Sequence, residues 1–299
     1  LTIDDKRSHL IERAAARLRQ AAVPPPEADP GAVAARERAG LHSLFALAPK
    51  PDLFEGRNRP AVVEAATLAK AGLIDADRQG ARVVEELRIA QNNLLRYALG
   101  EPGAPAARSG NLVMITSALA KEGKSFIALN LAAGIARQAE RRVLLIDTDA
   151  RPGSLGRTLG LGMAPGLLDL TRGGARDLED LAVPTACENL EFLPLGNGGG
   201  EALPRARIAE RIAEIGRRYS EHLIMLDTAP CLVSSDPHAL APIVGQTVFV
   251  IAAGFTQQAD IEAALDLVQA CPVVSLLLNK IRSWNGHSFG SYGHPAVQG

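Results

Sequence analysis

From residue 111 onward the chain alternates short unbroken apolar runs with longer stretches in which apolar positions recur every three or four residues. The runs are NLVMITS (111–117), RVLLIDT (142–148), LEFLPL (190–195), HLIMLDT (222–228), QTVFVIA (246–252) and PVVSLLLN (272–279). Helical stretches at 125–138, 205–219 and 257–269 fall between them. A strand that is apolar at every position needs cover on both faces, and alternation with helices supplies it. The pattern predicts a doubly wound α/β domain with a mainly parallel sheet, whose ligands lie beyond the carboxyl ends of the strands.

Upstream the pattern is weaker. Residues 8–22 have helical spacing and run into VPPPEADPG, which cannot continue a helix because proline lacks the donor. Residues 32–80 are alanine-rich, are broken by APKPDLFEGRNRP, and read as only partly ordered. Helical period returns at 80–99, where Val83, Leu87, Leu94 and Tyr97 share one face, before the linker GEPGAPAARSG. The expected division is an N-terminal helix and linker (1–79), the α/β domain (80–283) and a flexible tail (284–299).

Composition narrows the partners. The 299 residues are 47% hydrophobic and 22% charged, and 32 basic against 33 acidic side chains leave a formal charge of -1. No global field draws the chain to nucleic acid or to an anionic membrane. Cys187, Cys231 and Cys271 lack metal-ligand spacing and read as buried thiols. No apolar run reaches the roughly 18–20 residues of a membrane span. The expectation is a cytoplasmic protein that reaches the inner membrane through a partner.

The chemistry is concentrated where strands end. TSALAKEGKSFIALNLA (116–132) carries Gly123, Lys124 and Ser125 between a strand and a helix. A loop so placed aims backbone N–H groups and the positive end of the helix dipole at an anion. Lys124 can then reach the β- and γ-phosphates of a nucleotide, and the Ser125 hydroxyl can bind Mg²⁺. Ala118 stands where such a loop normally opens with glycine. VLLIDTDARP ends a strand with Asp147 and Asp149, and LIMLDTAP ends another with Asp227. A Mg²⁺·ATP site needs one or two such carboxylates, directly or through water.

These motifs resemble the bacterial tyrosine kinases of exopolysaccharide and capsule export. SALAKEGKSFIALNLA is similar to that family's Walker A segment, with Ala120 in place of the usual proline and Lys121 in place of the usual glycine. VLLIDTDARPGSL resembles its second aspartate motif, and HLIMLDTAPCLVSSDPHAL its Walker B segment, with Asp236 downstream and Ala229 for the commoner proline. LLLNKI resembles the last strand, which puts Asn279 by the nucleotide base. EELRIAQNNL resembles the oligomerisation helix, with Glu85 and Arg88 kept and Gln91 replacing a second arginine. The start of the chain and the lack of a span resemble exosortase-associated autokinases, whose activator is a separate membrane chain-length-determinant protein.

The resemblance implies a P-loop NTPase fold of the SIMIBI or MinD-like type, ATP and Mg²⁺ as cofactors, a homo-oligomer and transfer of the γ-phosphoryl group to tyrosine. It implies a cradle of Ala120, Lys121, Glu122, Gly123, Lys124, Ser125 and Phe126, with Asn279 at the base. Ser125, Asp147 and Asp227 would hold the metal, Lys124 and Asp147 would serve the transfer, and Asp149 would support metal and loop. Tyr292, in the Gly/Ser-rich tail, is the candidate phosphosite, while Tyr97 and Tyr219 read as packed and His287 and His294 as solvated. Two alternatives remain: an ATPase switch of the ParA/MinD type, whose signature lysine would fall at Leu119, and a nucleotide-binding scaffold with weak catalysis.

Overall fold

The computed structural model describes residues 62–74, 81–98, 109–138, 141–172, 177–196 and 204–281. All of them fall in one unit, Leu53–Gly299. The helix expected over 8–22 and the tail bearing Tyr292, His287 and His294 lie outside the described residues.

Seven strands form one sheet: β1 (Leu112–Ser117), β2 (Val143–Asp147), β3 (Val183–Pro184), β4 (Leu190–Leu193), β5 (Leu223–Asp227), β6 (Gln246–Ala252) and β7 (Val274–Asn279). Their order is β3-β4-β2-β5-β1-β6-β7, and every pairing is parallel except β3 with β4. The helices are α1 (Ala65–Lys70), α2 (Ala81–Ala98), α3 (Lys124–Gln138), α4 (Leu155–Thr158), α5 (Leu167–Thr171), α6 (Leu178–Leu181), α7 (Arg205–Arg218), α8 (Asp236–Leu240) and α9 (Gln258–Leu267).

All six apolar runs are strands, and β1, β2 and β5 are buried along their whole length. The two-residue period of a strand divides them between two cores. Val113, Ile115, Leu145 and Met225 join one with Leu129 and Ile135 of α3, while Leu112, Met114, Ile146 and Leu226 join the other with Ile212 and Ile215 of α7. Cys187, Cys231 and Cys271 are free and buried, as expected of core thiols. Among the described residues no helix is long and apolar enough to cross a membrane.

Helix α2 buries Leu87, Gln91, Leu94 and Leu95, and Tyr97 is half-buried. Val83, expected on that face, is 39% exposed. The buried face is centred instead on Gln91, whose amide fills a notch over Gly134 of α3: a Cβ there would lie 1.9 Å from Gln91 Nε2. The position compared with an arginine of an oligomerisation helix therefore faces the domain's interior.

Residues 62–74 pack onto the domain. Val63 donates its N–H to Pro184 O (2.9 Å) and accepts from Ala186 N (2.9 Å) beside β3. Asn130 of α3 holds the other end, accepting from Ile74 N (2.8 Å) and donating to Gly72 O (3.0 Å). Leu68, 1% exposed, seals the core between them. Leu68→Ala should cost about 2–5 kcal/mol of unfolding free energy, the range for a buried leucine truncated to a cavity. Urea denaturation of the wild type and the variant checks this.

Candidate nucleotide and metal site

The site is built on the carboxyl ends of β1, β2 and β5. Parallel register sets Asp147 directly beside Asp227 and Asp227 beside Ile115. The backbone ladder continues past the strands, with Thr148 N bonded to Asp227 O (2.9 Å) and Thr228 N to Ile115 O (3.1 Å). After β5 the chain lies against the start of the β1–α3 loop, where Cys231 N donates to Ser117 O (2.8 Å) and Leu232 N to Ala118 O (3.2 Å).

That loop explains why no glycine is needed at Ala118. Its left-handed turns come later, at Lys121 (φ 68°) and Gly123 (φ 96°). At Gly123 a side chain is excluded twice over, because a Cβ would also lie 2.2 Å from Asn279 Nδ2. Lys121 accepts the strain of a side chain in that conformation, and its carbonyl receives the Lys280 ammonium (2.5 Å). From Lys121 to Phe126 no backbone N–H finds an acceptor among the described residues. These groups, at the start of a 15-residue helix, are the donors an anion requires.

The side chains around the loop divide the work. Lys124 is buried, with its ammonium 3.6 Å from Asp149 Oδ2. Asp149 is gripped by Arg151, through Nε to Oδ1 (2.8 Å) and Nη2 to Oδ2 (2.5 Å). Burial works against the charge of Asp149, but the Arg151 bonds and the Lys124 ammonium hold it below the ordinary carboxylate value. Asp147 accepts Asp149 N (2.9 Å) and Gly156 N (2.7 Å), and burial still raises it above that value. The close approach at Gly156 depends on glycine, since a Cβ would sit 2.9 Å from Asp147 Oδ2.

Asp227 differs from both. It is fully buried, and neither carboxylate oxygen has a hydrogen-bond partner among the described residues. Burial first and the charge of Asp147 second push it up to about 7, while the Lys124 ammonium and the nearby Ser125 hydroxyl, which makes no formed hydrogen bond to it, pull the other way. A buried carboxylate with both oxygens unused beside a second carboxylate is poorly accounted for as a turn cap; it fits a hydrated cation. No group of three or more His, Cys, Asp or Glu among the described residues is arranged to hold a metal alone. The chemistry of these donors is compatible with Mg²⁺, which keeps waters and takes phosphate oxygens.

No protein-family model matches the chain. "Tyrosine-protein kinase wzc" of Salmonella typhi is 32% identical over 189 residues, 61% of this chain and 26% of that protein. "Putative tyrosine-protein kinase EpsB" of Ralstonia solanacearum is 34% identical over 170 residues, 56% of this chain and 21% of that protein. The chain thus spans about a quarter of the length of these curated relatives. Over the matched residues the chain is similar to proteins named as bacterial tyrosine kinases. The kinase domain of the Escherichia coli tyrosine kinase ETK shares this fold, with a TM-score of 0.59 at 22% identity over 87% of this chain and 98% of that one.

The other candidate residues have separate duties. Phe126 turns its ring toward Gly72, so its amide alone faces the cradle's task. Asn279 donates to Glu122 O (2.9 Å). Asp236 takes Ser234 Oγ (2.6 Å) and Arg205 Nε rather than joining the strand-end carboxylates. Glu85 and Arg88 are exposed on α2 and bonded to each other (2.9 Å). Tyr219 is buried with its hydroxyl on Glu179 Oε1 (2.5 Å), and burial together with that carboxylate raises its pKa, which makes it a core residue rather than an acceptor. Arg151, Thr256 and Lys280 were not legible as site residues; only their nearness to Asp149, the end of β6 and Asn279 hints at them.

Two outcomes follow from this geometry. Lys121→Gly should stabilise the nucleotide-free protein by about 1 kcal/mol, less whatever glycine adds to the entropy of the unfolded chain, measured by chemical denaturation. Asp227 has a folded pKa above its unfolded value of 3.8, so the stability it contributes is full below about pH 4 and is lost as pH rises through about 7. Relative to Asp227→Asn, the metal-free wild type should lose stability across that window by at most about 1.4 kcal/mol per pH unit. A difference independent of pH would contradict the assignment.

Proposed function

We propose that this chain is an ATP-dependent protein-tyrosine autokinase acting in exopolysaccharide or capsule chain-length control and export. The observation that carries the reading is the register pairing of Asp147 with Asp227 beside Lys124 and Ser125. The names of the relatives support the acceptor, tyrosine.

In this mechanism the free N–H groups from Lys121 to Phe126 hold the β- and γ-phosphates, and the Lys124 ammonium offsets charge on the phosphoryl group as it moves. Mg²⁺, when bound, screens the phosphate oxygens. Ser125 and Asp227 would hold it, directly or through water, with Asp227 ionised and Asp147 helping to position it. Asp147, kept basic by burial, takes the proton of the incoming phenol while the bond from the γ-phosphorus to the leaving ADP oxygen breaks and the new bond to the tyrosine oxygen forms. Asp149 orients Lys124, and Arg151 keeps Asp149 ionised. Asn279 braces the loop next to the expected base position. Leu119 stands where a partitioning-type switch would carry its lysine, which favours the kinase.

The partner in this proposal is a membrane chain-length-determinant protein that activates the kinase at the cytoplasmic face. Glu85 and Arg88 are candidates for contacts between copies, and Tyr292 is the candidate acceptor. Incubation with Mg²⁺·ATP and the activator, followed by intact mass and phosphopeptide mapping, tests this. Phosphotyrosine should form in the wild type, fall at least 100-fold in Lys124→Met and Asp147→Asn, and leave the tail in Tyr292→Phe. ATP hydrolysis without phosphotyrosine would select the ATPase switch instead.

A further inference from the structure

Glu122 is a buried carboxylate that the phosphoryl-transfer scheme does not use. It is 0% exposed, inside a loop whose neighbours Ala120 and Lys121 are open to solvent. Its Oε2 accepts the Leu119 N–H (2.5 Å) across the loop. Its Oε1 accepts the Thr256 hydroxyl and, more weakly, the Ala252 N–H (3.5 Å), both at the end of β6. Its main-chain carbonyl accepts the Asn279 amide at the end of β7 (2.9 Å). One residue therefore joins the ends of β1, β6 and β7.

We propose that Glu122 is a positioning residue, an internal bracket that sets the phosphate loop before nucleotide arrives and couples nucleotide binding to the turn between β6 and α9. The proposal rests on the reading of the loop as a nucleotide cradle. The bracket ties up the Leu119 N–H, so the donors left for phosphate lie beyond it, around the left-handed turn at Lys121. It also supplies an internal fix for a loop that begins with Ala118 and carries a lysine at a left-handed position. Thr256 is the bracket's far anchor: nucleotide that immobilises the loop also immobilises residues 252–256.

Glu122 acts here through its oxygen acceptors and not through its charge. Glutamine can keep the Leu119 bond with its carbonyl and donate its amide to the Thr256 oxygen, whereas alanine leaves a buried N–H without a partner.

The test is ADP and ATP binding by titration calorimetry for the wild type, E122A, E122Q and T256V, with hydrogen exchange read at Leu119 and at 252–256. E122A should weaken both nucleotides at least 10-fold, and E122Q should restore affinity to within about 3-fold of the wild type. T256V should keep Leu119 protected in the free protein but lose the nucleotide-induced protection at 252–256 seen in the wild type. Equal affinity of E122A and wild type, or equal loss in E122A and E122Q, overturns the bracket. If E122A does not fold, T256V and the Leu119 amide decide: fast exchange at Leu119 in the free wild type, or unchanged coupling in T256V, overturns it. A wild type that binds no nucleotide removes the cradle and the bracket together, and is told apart because it fails before any variant is compared.

Discussion

The arrangement turns on two carboxylates held side by side at the ends of adjacent parallel strands. β2 and β5 are buried throughout, and their register leaves Asp147 and Asp227 at the same level with no freedom to separate. Asp147 spends its oxygens on backbone N–H groups, and Asp227 spends neither of its own. Two such groups repel each other and are costly to ionise in a dry interior, so their presence calls for a positive partner. Lys124 supplies part of it, and the unused oxygens of Asp227 are where we propose that a hydrated cation sits.

Around that pair the loop is organised by backbone geometry more than by glycine content. Two left-handed residues turn the chain so that a run of N–H groups faces outward, and Gly123 is indispensable because Asn279 occupies the space of a side chain. The lysine at the other turn is accommodated at a cost, and bonds from Glu122, Asn279 and Lys280 hold the turn closed. The loop is thus braced from β6 and β7, strands that contribute no carboxylate to the Asp147–Asp227 pair.

Much of the architecture was readable in the sequence, for a physical reason. Strands buried on both faces must be apolar at every position, so β1, β2 and β5 stood out, and the aspartates that end β2 and β5 stood out against that background; β7 is as apolar in sequence, yet its Leu276 and Leu278 are more than half exposed. What escaped depends on contacts distant in sequence. Val83 looked like a core position by period alone, yet the notch at Gly134 draws Gln91 inward instead. The packing of residues 62–74 depends on Asn130 and the β3 edge, which no local period announces. Glu122 could be counted within a phosphate motif, but its bracket needs Thr256 and Asn279, more than a hundred residues along the chain.

The central claim is that the Asp227 oxygens belong to a cation that arrives with nucleotide. Electron paramagnetic resonance of Mn²⁺, titrated into the protein with and without ADP, addresses it most directly. The account predicts that free Mn²⁺ signal is lost at stoichiometric protein only when ADP is present, and that Asp227→Asn abolishes the loss. Mn²⁺ bound equally well without nucleotide, or bound with ADP regardless of Asp227, would contradict it.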